Sequence, residues 1–501
     1  MCENLDILLV TPPSKDKVFQ ELGKSLIAIE PPVWSLLMAT FIQGKGHSVQ
    51  ILDAEAESIG FDETARRIIE AQATLTVFVV YGHQPSASTQ CMPAGNAVCQ
   101  RVAEGAPQMQ TLVMGTHASA LPQRTLQEEP YTYVCQGEGP YTILHLLEEL
   151  TSGQPRLDKV PGLWYRDNGT ITHNSPAQNL PDLDREIPGQ AWELIDMSKY
   201  RAHNWHCFDH INDRQPYASL QTSLGCPYKC SFCCINAPFG QPSIRYWSPQ
   251  LVVDQIDHLV NTYGVKNIKI PDEMFVLSEQ HVLGICDRII ERGYDLNIWA
   301  YARIDTIKDR YLEKLKKAGF NWMALGIESG SKYVRDGVEK GRFGDIDIVK
   351  TTDKIKEHGI YIIANYIFGL PDDTQPSMQD TLDLAQEINA EWANFYCAMA
   401  YPGSPLYTQA KEKGQPLPDD PDGPGWIGYS QHAYESLPLP TDTLSSHDVL
   451  DFRDEAFDKY FTHGPYQSMV RERFGQHLVD HINDMVKVKI KRKHRDALKA
   501  T

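Results

Sequence analysis

Cys226, Cys230, Cys233 and Cys234 crowd one short segment, Gly225-Cys226-Pro227-Tyr228-Lys229-Cys230-Ser231-Phe232-Cys233-Cys234, and no other feature of the chain constrains its fold as much. The first three form a Cys-x3-Cys-x2-Cys array. Thiolates are soft anionic ligands suited to iron–sulfur clusters, and three on one loop hold three irons of a [4Fe-4S] cube, leaving the fourth iron open. A zinc site made from all four cysteines is the competing expectation. Zinc loops usually come as two separated pairs, whereas these four cysteines form a single run. Adjacent Cys233 and Cys234 are also poorly placed to grip one tetrahedral ion. Cys234 suits a small buried residue. The remaining cysteines of the 11 are scattered singly, as in a chain whose thiols stay reduced.

Such a loop needs a framework, and the sequence offers two βα series. In the first, Asp6–Val10, Val49–Asp53, Thr76–Val80, Thr111–Met114 and Tyr131–Val134 read as strands. Helical stretches lie between them, such as Trp34–Gly44, and one runs on to Leu150. That is the pattern of a parallel Rossmann-like sheet over residues 1–152. Ligands sit at the carboxyl ends of strands in such sheets, so the loops at Pro12, Gly82–Ser88 and Gly115–Ser119 are candidates. Residues 153–216, rich in Gly, Pro, Asn and Asp, read as a connector. The second series has strands at Ala218–Leu224, Val265–Ile270, Leu296–Tyr301, Trp322–Leu325, Tyr361–Ile367 and Trp392–Ala398. Six strands fit a partial, open (β/α)6 barrel over 217–410 rather than the closed eight-stranded form. A Pro-rich linker and a helical segment over 411–501 complete an α/β chain.

The second series resembles the radical SAM superfamily, named for S-adenosylmethionine (SAM). Behind the cysteine loop, each expected strand end carries a matching motif in order: Pro271-Asp272-Glu273-Met274-Phe275, Ala302-Arg303-Ile304-Asp305, Gly326-Ile327-Glu328-Ser329-Gly330-Ser331, Asn365-Tyr366-Ile367-Phe368-Gly369-Leu370-Pro371 and Tyr401-Pro402-Gly403-Ser404-Pro405. The resemblance implies that Cys226, Cys230 and Cys233 ligate the cluster. It also implies SAM contacts from Phe232, Asp272, Glu273, Arg303, Glu328, Ser329, Ile367 and Gly369. The open iron would chelate the methionine end of SAM, and an electron from the cluster would release a 5′-deoxyadenosyl radical. Singly, each motif also suits a turn or a helix start.

An α/β domain followed by a connector resembles the cobalamin-binding radical SAM group. Thr11-Pro12-Pro13, Pro31-Pro32-Val33-Trp34-Ser35-Leu36, Gly115-Thr116-His117 and Gly137-Glu138-Gly139 carry this weaker likeness. It implies cobalamin near Ser86, Gly115, Thr116 and His117, with Ser88 a further contact. Plain turn chemistry explains the same residues equally well. None of the 17 histidines has Asp two residues before it, so the Asp-x-His-x-x-Gly element that ligates cobalt in some cobalamin domains is missing.

The resemblance implies a methyltransferase acting on an unactivated carbon of a small metabolite or lipid-linked precursor. A flavodoxin- or ferredoxin-type protein would supply electrons. A radical rearrangement, cyclisation or oxidation without methyl transfer is the alternative, and a non-catalytic cobalamin or cluster sensor is a third reading. The net charge of -18 repels polyanions, which disfavours a nucleic-acid substrate. Lys487, Lys489, Lys491, Arg492, Lys493 and Arg495 form the one basic cluster, expected as a solvated helix end. No apolar run is long enough to span a bilayer. The opening Met1-Cys2-Glu3-Asn4-Leu5-Asp6 has no basic-then-apolar leader, so a cytoplasmic protein is expected.

Overall fold

The computed structural model describes residues 5–82, 84, 86–338 and 346–499; the expected strands lie within them, whereas residues 1–4 of the opening and His83 and Pro85 of the Gly82–Ser88 loop fall outside. The first sheet contains β1 (Ile7–Thr11), β2 (Val49–Asp53), β3 (Leu75–Val79), β4 (Thr111–Met114), β5 (Tyr133–Cys135), β6 (Leu163–Asp167) and β7 (Thr170–His173), in the order β2-β1-β3-β4-β5-β6-β7. Its first five strands are parallel. Every residue of β3 is buried, as a strand covered on both faces requires.

β6 and β7 come from the stretch read as connector, and they pair antiparallel with β5 and with each other. Their turn is Asn168-Gly169, with φ of +49° and +82°. Positive φ at both central residues matches the strand twist of a tight hairpin.

The second sheet is formed by β8 (Tyr217–Ser219), β11 (Asn267–Ile270), β12 (Asn297–Arg303), β13 (Phe320–Glu328), β14 (Tyr361–Phe368) and β15 (Trp392–Cys397). All pair in parallel, in the order β15-β14-β13-β12-β11-β8. The two outermost strands do not pair with each other, so the sheet is an open, six-stranded partial barrel. The expected first strand is broken. The chain leaves the sheet after Ser219, and β9 (Ser223–Leu224) pairs antiparallel with β10 (Arg245–Tyr246). The intervening helices follow local rules. In Pro249–Tyr263 the Ser248 side chain accepts from Leu251 N–H, Pro249 stands in the first turn and Gly264 closes the end at φ +66°.

Helices Ser446–Phe461, Gly464–Phe474, Gln476–Lys487 and Lys493–Lys499 follow the barrel. The basic cluster there is largely neutralised: Lys487 meets Asp484, Lys489 meets Asp458, Arg492 meets Asp454 and Arg495 meets Asp451. Arg492 is itself buried and donates to the carbonyls of Ala433 and Gln431. Gln20 of the first unit donates to the carbonyls of His432 and Lys491, so this strap is held from both sides. Among the described residues, no helix is long and apolar enough to cross a membrane.

Candidate active site

The cysteine loop lies between β9 and β10, and its path is fixed by contacts that no other residues supply. Gly225 has φ +89°, and a Cβ there would lie 2.4 Å from the Ser243 carbonyl oxygen. Asp272, just past β11, accepts from Thr222 N–H at 2.7 Å and from the Thr222 and Ser223 hydroxyls at 2.6 Å each. Further along, Ser231 N–H donates to Val338 O at 3.0 Å, and Leu406 N–H donates to Ser231 O at 2.8 Å. Arg245, on the returning strand, pairs with buried Glu138 of the first unit at 2.6 Å, which gives Gly137-Glu138-Gly139 a clamping role.

Cys226, Cys230 and Cys233 line one cavity of about 260 Å³. Among the described residues, no three His, Cys, Asp or Glu side chains converge closely enough to grip a single metal ion. Phe232, Glu273, Arg303, Glu328 and Ile367 line the same cavity. Arg303 lies over the Tyr228 ring at 4.1 Å and forks onto Asp305 with two 2.8 Å hydrogen bonds. Glu328 ends β13 at φ +69°. A left-handed non-glycine residue is costly and concentrates at functional sites. Burial pushes the Glu273 carboxyl up to about 7, and Lys269 opposes the shift.

Three expected SAM contacts do not line this cavity. Asp272 is wholly buried beneath the loop and is spent on the bonds above. Ser329 pairs with Thr381 Oγ1 at 3.2 Å and accepts from Ser331 N–H. Gly369 packs on Val449, and its N–H donates to Asp373. These residues hold the strand ends in place; the cavity is formed by the side chains beside them.

A second cavity, about 210 Å³, lies deeper in the barrel. Strand alternation links the two. Along β12, Trp299 lines the deep cavity, Tyr301 lines both and Arg303 lines the cysteine cavity; along β14, Ile363, Asn365 and Ile367 repeat the pattern. A cleft between the units makes a third space. Thr11, Asp53 and Val79–Gly82 from the strand ends of the first sheet face Ser219, Gln221 and Gly225 across it. Trp34 stacks on Tyr81 at 4.2 Å to form an apolar shelf. Gln84 lines all three spaces.

The residues expected at cobalamin do not line this cleft. Gly115 approaches Val80 so closely that a Cβ would meet its carbonyl at 2.2 Å. Thr116 and His117 are 1% exposed and line none of the three cavities. His117 packs edge-on to Trp426 at 4.4 Å, its Nδ1 lies 3.2 Å from Thr89 Oγ1, and burial lowers its pKa to about 3, so it is a neutral core histidine. Ser88 is spent on Val80 O and His117 N–H. Ser86 lines the cysteine cavity, not the cleft.

Asp53 in the cleft accepts from Tyr200 OH at 3.0 Å and Ala56 N–H at 3.1 Å, yet burial still raises its pKa to about 7. The folded chain therefore holds this proton more tightly than the unfolded one, and stability is lost as pH rises towards 7. Asp53→Asn should melt higher than wild type by the widest margin at pH 7.5 and above. The margin should shrink as pH falls from 7 towards 4, as thermal melts across that range would record.

The Radical SAM superfamily model matches residues 220–385, and the B12 binding domain model matches residues 23–147. The chain belongs to the radical SAM superfamily and carries a B12-binding domain. This radical SAM protein is 29% identical over 410 residues to an uncharacterized methyltransferase of Pyrococcus horikoshii, covering 81% of this chain and 83% of that one. It is 25% identical over 398 residues to the anaerobic magnesium-protoporphyrin IX monomethyl ester cyclase of Rubrivivax gelatinosus, covering 78% and 68%. Its fold resembles the radical S-adenosylmethionine methyltransferase TsrM from Kitasatospora setae, with a TM-score of 0.65 at 17% identity over 92% of this chain and 89% of that one. The family implies a [4Fe-4S] cluster, S-adenosylmethionine and cobalamin. The radical SAM protein's lining suits each. Three thiols share a wall with a cation and two carboxylates, as a cluster beside an amino-acid moiety requires. The aromatic shelf with Gln84, Gln90 and Gln221 at its rim suits a flat macrocycle fringed with carboxamides.

Proposed function

We propose that this radical SAM enzyme transfers a methyl group to an unactivated carbon of a small molecule. The observation that carries this reading is the meeting of three cavities at Gln84. Three reactants must approach within a few ångströms of one another, and a shared junction meets that need. We assign Cys226, Cys230 and Cys233 to the cluster; Arg303, Glu273, Glu328, Phe232 and Ile367 to SAM; and the cleft beside Trp34 and Tyr81 to cobalamin. When bound, the cluster supplies an electron to SAM and cobalamin supplies a methyl carrier. The chain itself does the rest. Arg303, held by Asp305, presents its guanidinium to a carboxylate; Glu273 and Glu328 receive an ammonium and sugar hydroxyls; Tyr301 and Tyr396 separate the SAM cavity from the deeper one.

Unit boundaries near residues 216 and 410, with the β6–β7 hairpin counted in the first unit rather than in a connector starting at 153, a flavodoxin- or ferredoxin-type electron donor and a cytoplasmic setting belong to the same proposal.

Anaerobic, reduced holoprotein given SAM with a deuterated methyl group should pass the label to cobalamin and release S-adenosylhomocysteine. A second reading, radical rearrangement or cyclisation without methyl transfer, is favoured by the likeness to the Rubrivivax cyclase. Release of 5′-deoxyadenosine with no label passed to cobalamin would establish that reading instead.

A further inference from the structure

Six side chains line both the deep cavity and the cysteine cavity: Gln84, Tyr301, Asn365, Tyr396, Tyr401 and Gln431. Three of them are spent within the chain. Asn365 accepts from Asn394 at 3.0 Å and donates to Leu325 O at 3.1 Å. Gln431 accepts from Cys397 N–H at 2.8 Å and donates to Cys397 O at 2.9 Å. Tyr401 OH donates to Tyr429 O at 3.4 Å. Tyr301 and Tyr396 differ. Neither hydroxyl meets a hydrogen-bond partner among the described residues, and neither is sealed off: both side chains are half-buried and face the two cavities. They stand on β12 and β15, with two strands between them, so they meet across the curled sheet rather than along one ladder. Burial pushes the Tyr301 phenol well above its ordinary range, with Tyr396 adding to the shift, and pushes the Tyr396 phenol up to about 12. Both therefore stay protonated at neutral pH and present O–H donors. A polar group in an enclosed wall is costly until a ligand or a water meets it.

We propose that Tyr301 and Tyr396 set substrate specificity: their two hydroxyls donate to one carbonyl oxygen of the substrate, beside the carbon that reacts. A carbonyl oxygen has two lone pairs and accepts two donors at once. A few placed polar groups on an otherwise apolar wall fix a ligand's orientation. Here they lie where the deep cavity opens into the cysteine cavity, so an anchor at this point sets the distance of the neighbouring carbon from SAM. A plain hydrocarbon chain would leave both hydroxyls unbonded in a closed site. This inference rests on the assignment of the cysteine cavity to SAM and adds a substrate class to it.

Titration calorimetry of the anaerobic, unreduced holoprotein, loaded with SAM to fill the cysteine cavity, tests it with two probes of one shape, 1-indanone and its parent hydrocarbon indane. Tyr301→Phe and Tyr396→Phe should each weaken 1-indanone binding about fivefold, the scale of one hydrogen bond between neutral groups, and the double variant should weaken it about twentyfold or more. Indane should bind the double variant at least as tightly as wild type, because the wall has lost only polar atoms. The hydroxyls bond to nothing in the chain, so the variants should melt at the wild-type temperature. No binding of 1-indanone to wild type, or equal changes for the two probes in the double variant, overturns the proposal. A lowered melting temperature would mark the hydroxyls as structural and overturn it too. Binding is read apart from turnover. If no label reaches cobalamin but the probes separate as stated, methyl transfer fails and this assignment stands; label transfer with unseparated probes removes the assignment alone.

Discussion

Cys230→Ala will lower the iron and sulfide content of the purified protein and cut 5′-deoxyadenosine formation by roughly a thousandfold or more, the scale of losing a group on which the chemistry depends. Cys230 lines the cysteine cavity between two other thiols, and the loop is too tightly held for a neighbour to replace it. Gly225 is pressed against Ser243, Ser231 is tied to Val338 and Leu406, and Asp272 pins Thr222 and Ser223. Cys234 is 3% exposed and offers the necessary contrast. Cys234→Ala should keep its iron and its SAM cleavage. Anaerobic reconstitution with iron, sulfide and product analysis reads both variants, and equal iron content in the two would sink the ligand assignment.

Asp419→Ala should destabilise the folded chain by about 1–3 kcal/mol, the cost of leaving buried hydroxyl donors without their acceptor. The Asp419 side chain is 1% exposed. It accepts from Arg124 of the first unit, from Lys411 at 3.1 Å, from Tyr407 OH at 2.8 Å and from Tyr429 OH. Removal takes the shared acceptor from the Tyr407 and Tyr429 hydroxyls, while Arg124 keeps Glu128 and Lys411 keeps Asp420. Arg124 also lies over Trp426 at 4.5 Å, and Trp426 covers His117, so the loss loosens the first unit against the barrel. Urea unfolding followed by tryptophan emission should show a lower midpoint, with Asp419→Asn between the variant and wild type. An unchanged midpoint for Asp419→Ala would rule out this hub as a clamp.

The cysteine loop was legible because its ligands are neighbours in sequence and their spacing carries the chemistry. The six barrel strands were legible for a similar reason, since each ends in a short motif at a turn. What the sequence concealed depends on distant partners. Thr116 and His117 look polar and available, but Trp426, far along the chain, covers His117. Asp272 stands in the right motif yet faces Thr222 and Ser223, which only folding brings beneath it. Tyr301 and Tyr396 belong to no motif, and their place at the cavity junction follows from strand alternation; Gln84 lies in the Gly82–Ser88 loop read as a candidate, but its reach into three spaces follows from domain packing. The β6–β7 hairpin did have a signal. Asn168-Gly169 between β-rich runs is hairpin chemistry, and the surrounding Pro and Asp residues masked it.

The strap around Arg492 has a consequence for assembly. It follows the barrel in the chain, so both α/β units are synthesised before Arg492 exists to reach the carbonyls of Gln431 and Ala433. Until then Gln431, which borders two of the cavities, is not tethered from that side. The last fastening of a wall shared by both cavities is thus supplied from the far end of the chain.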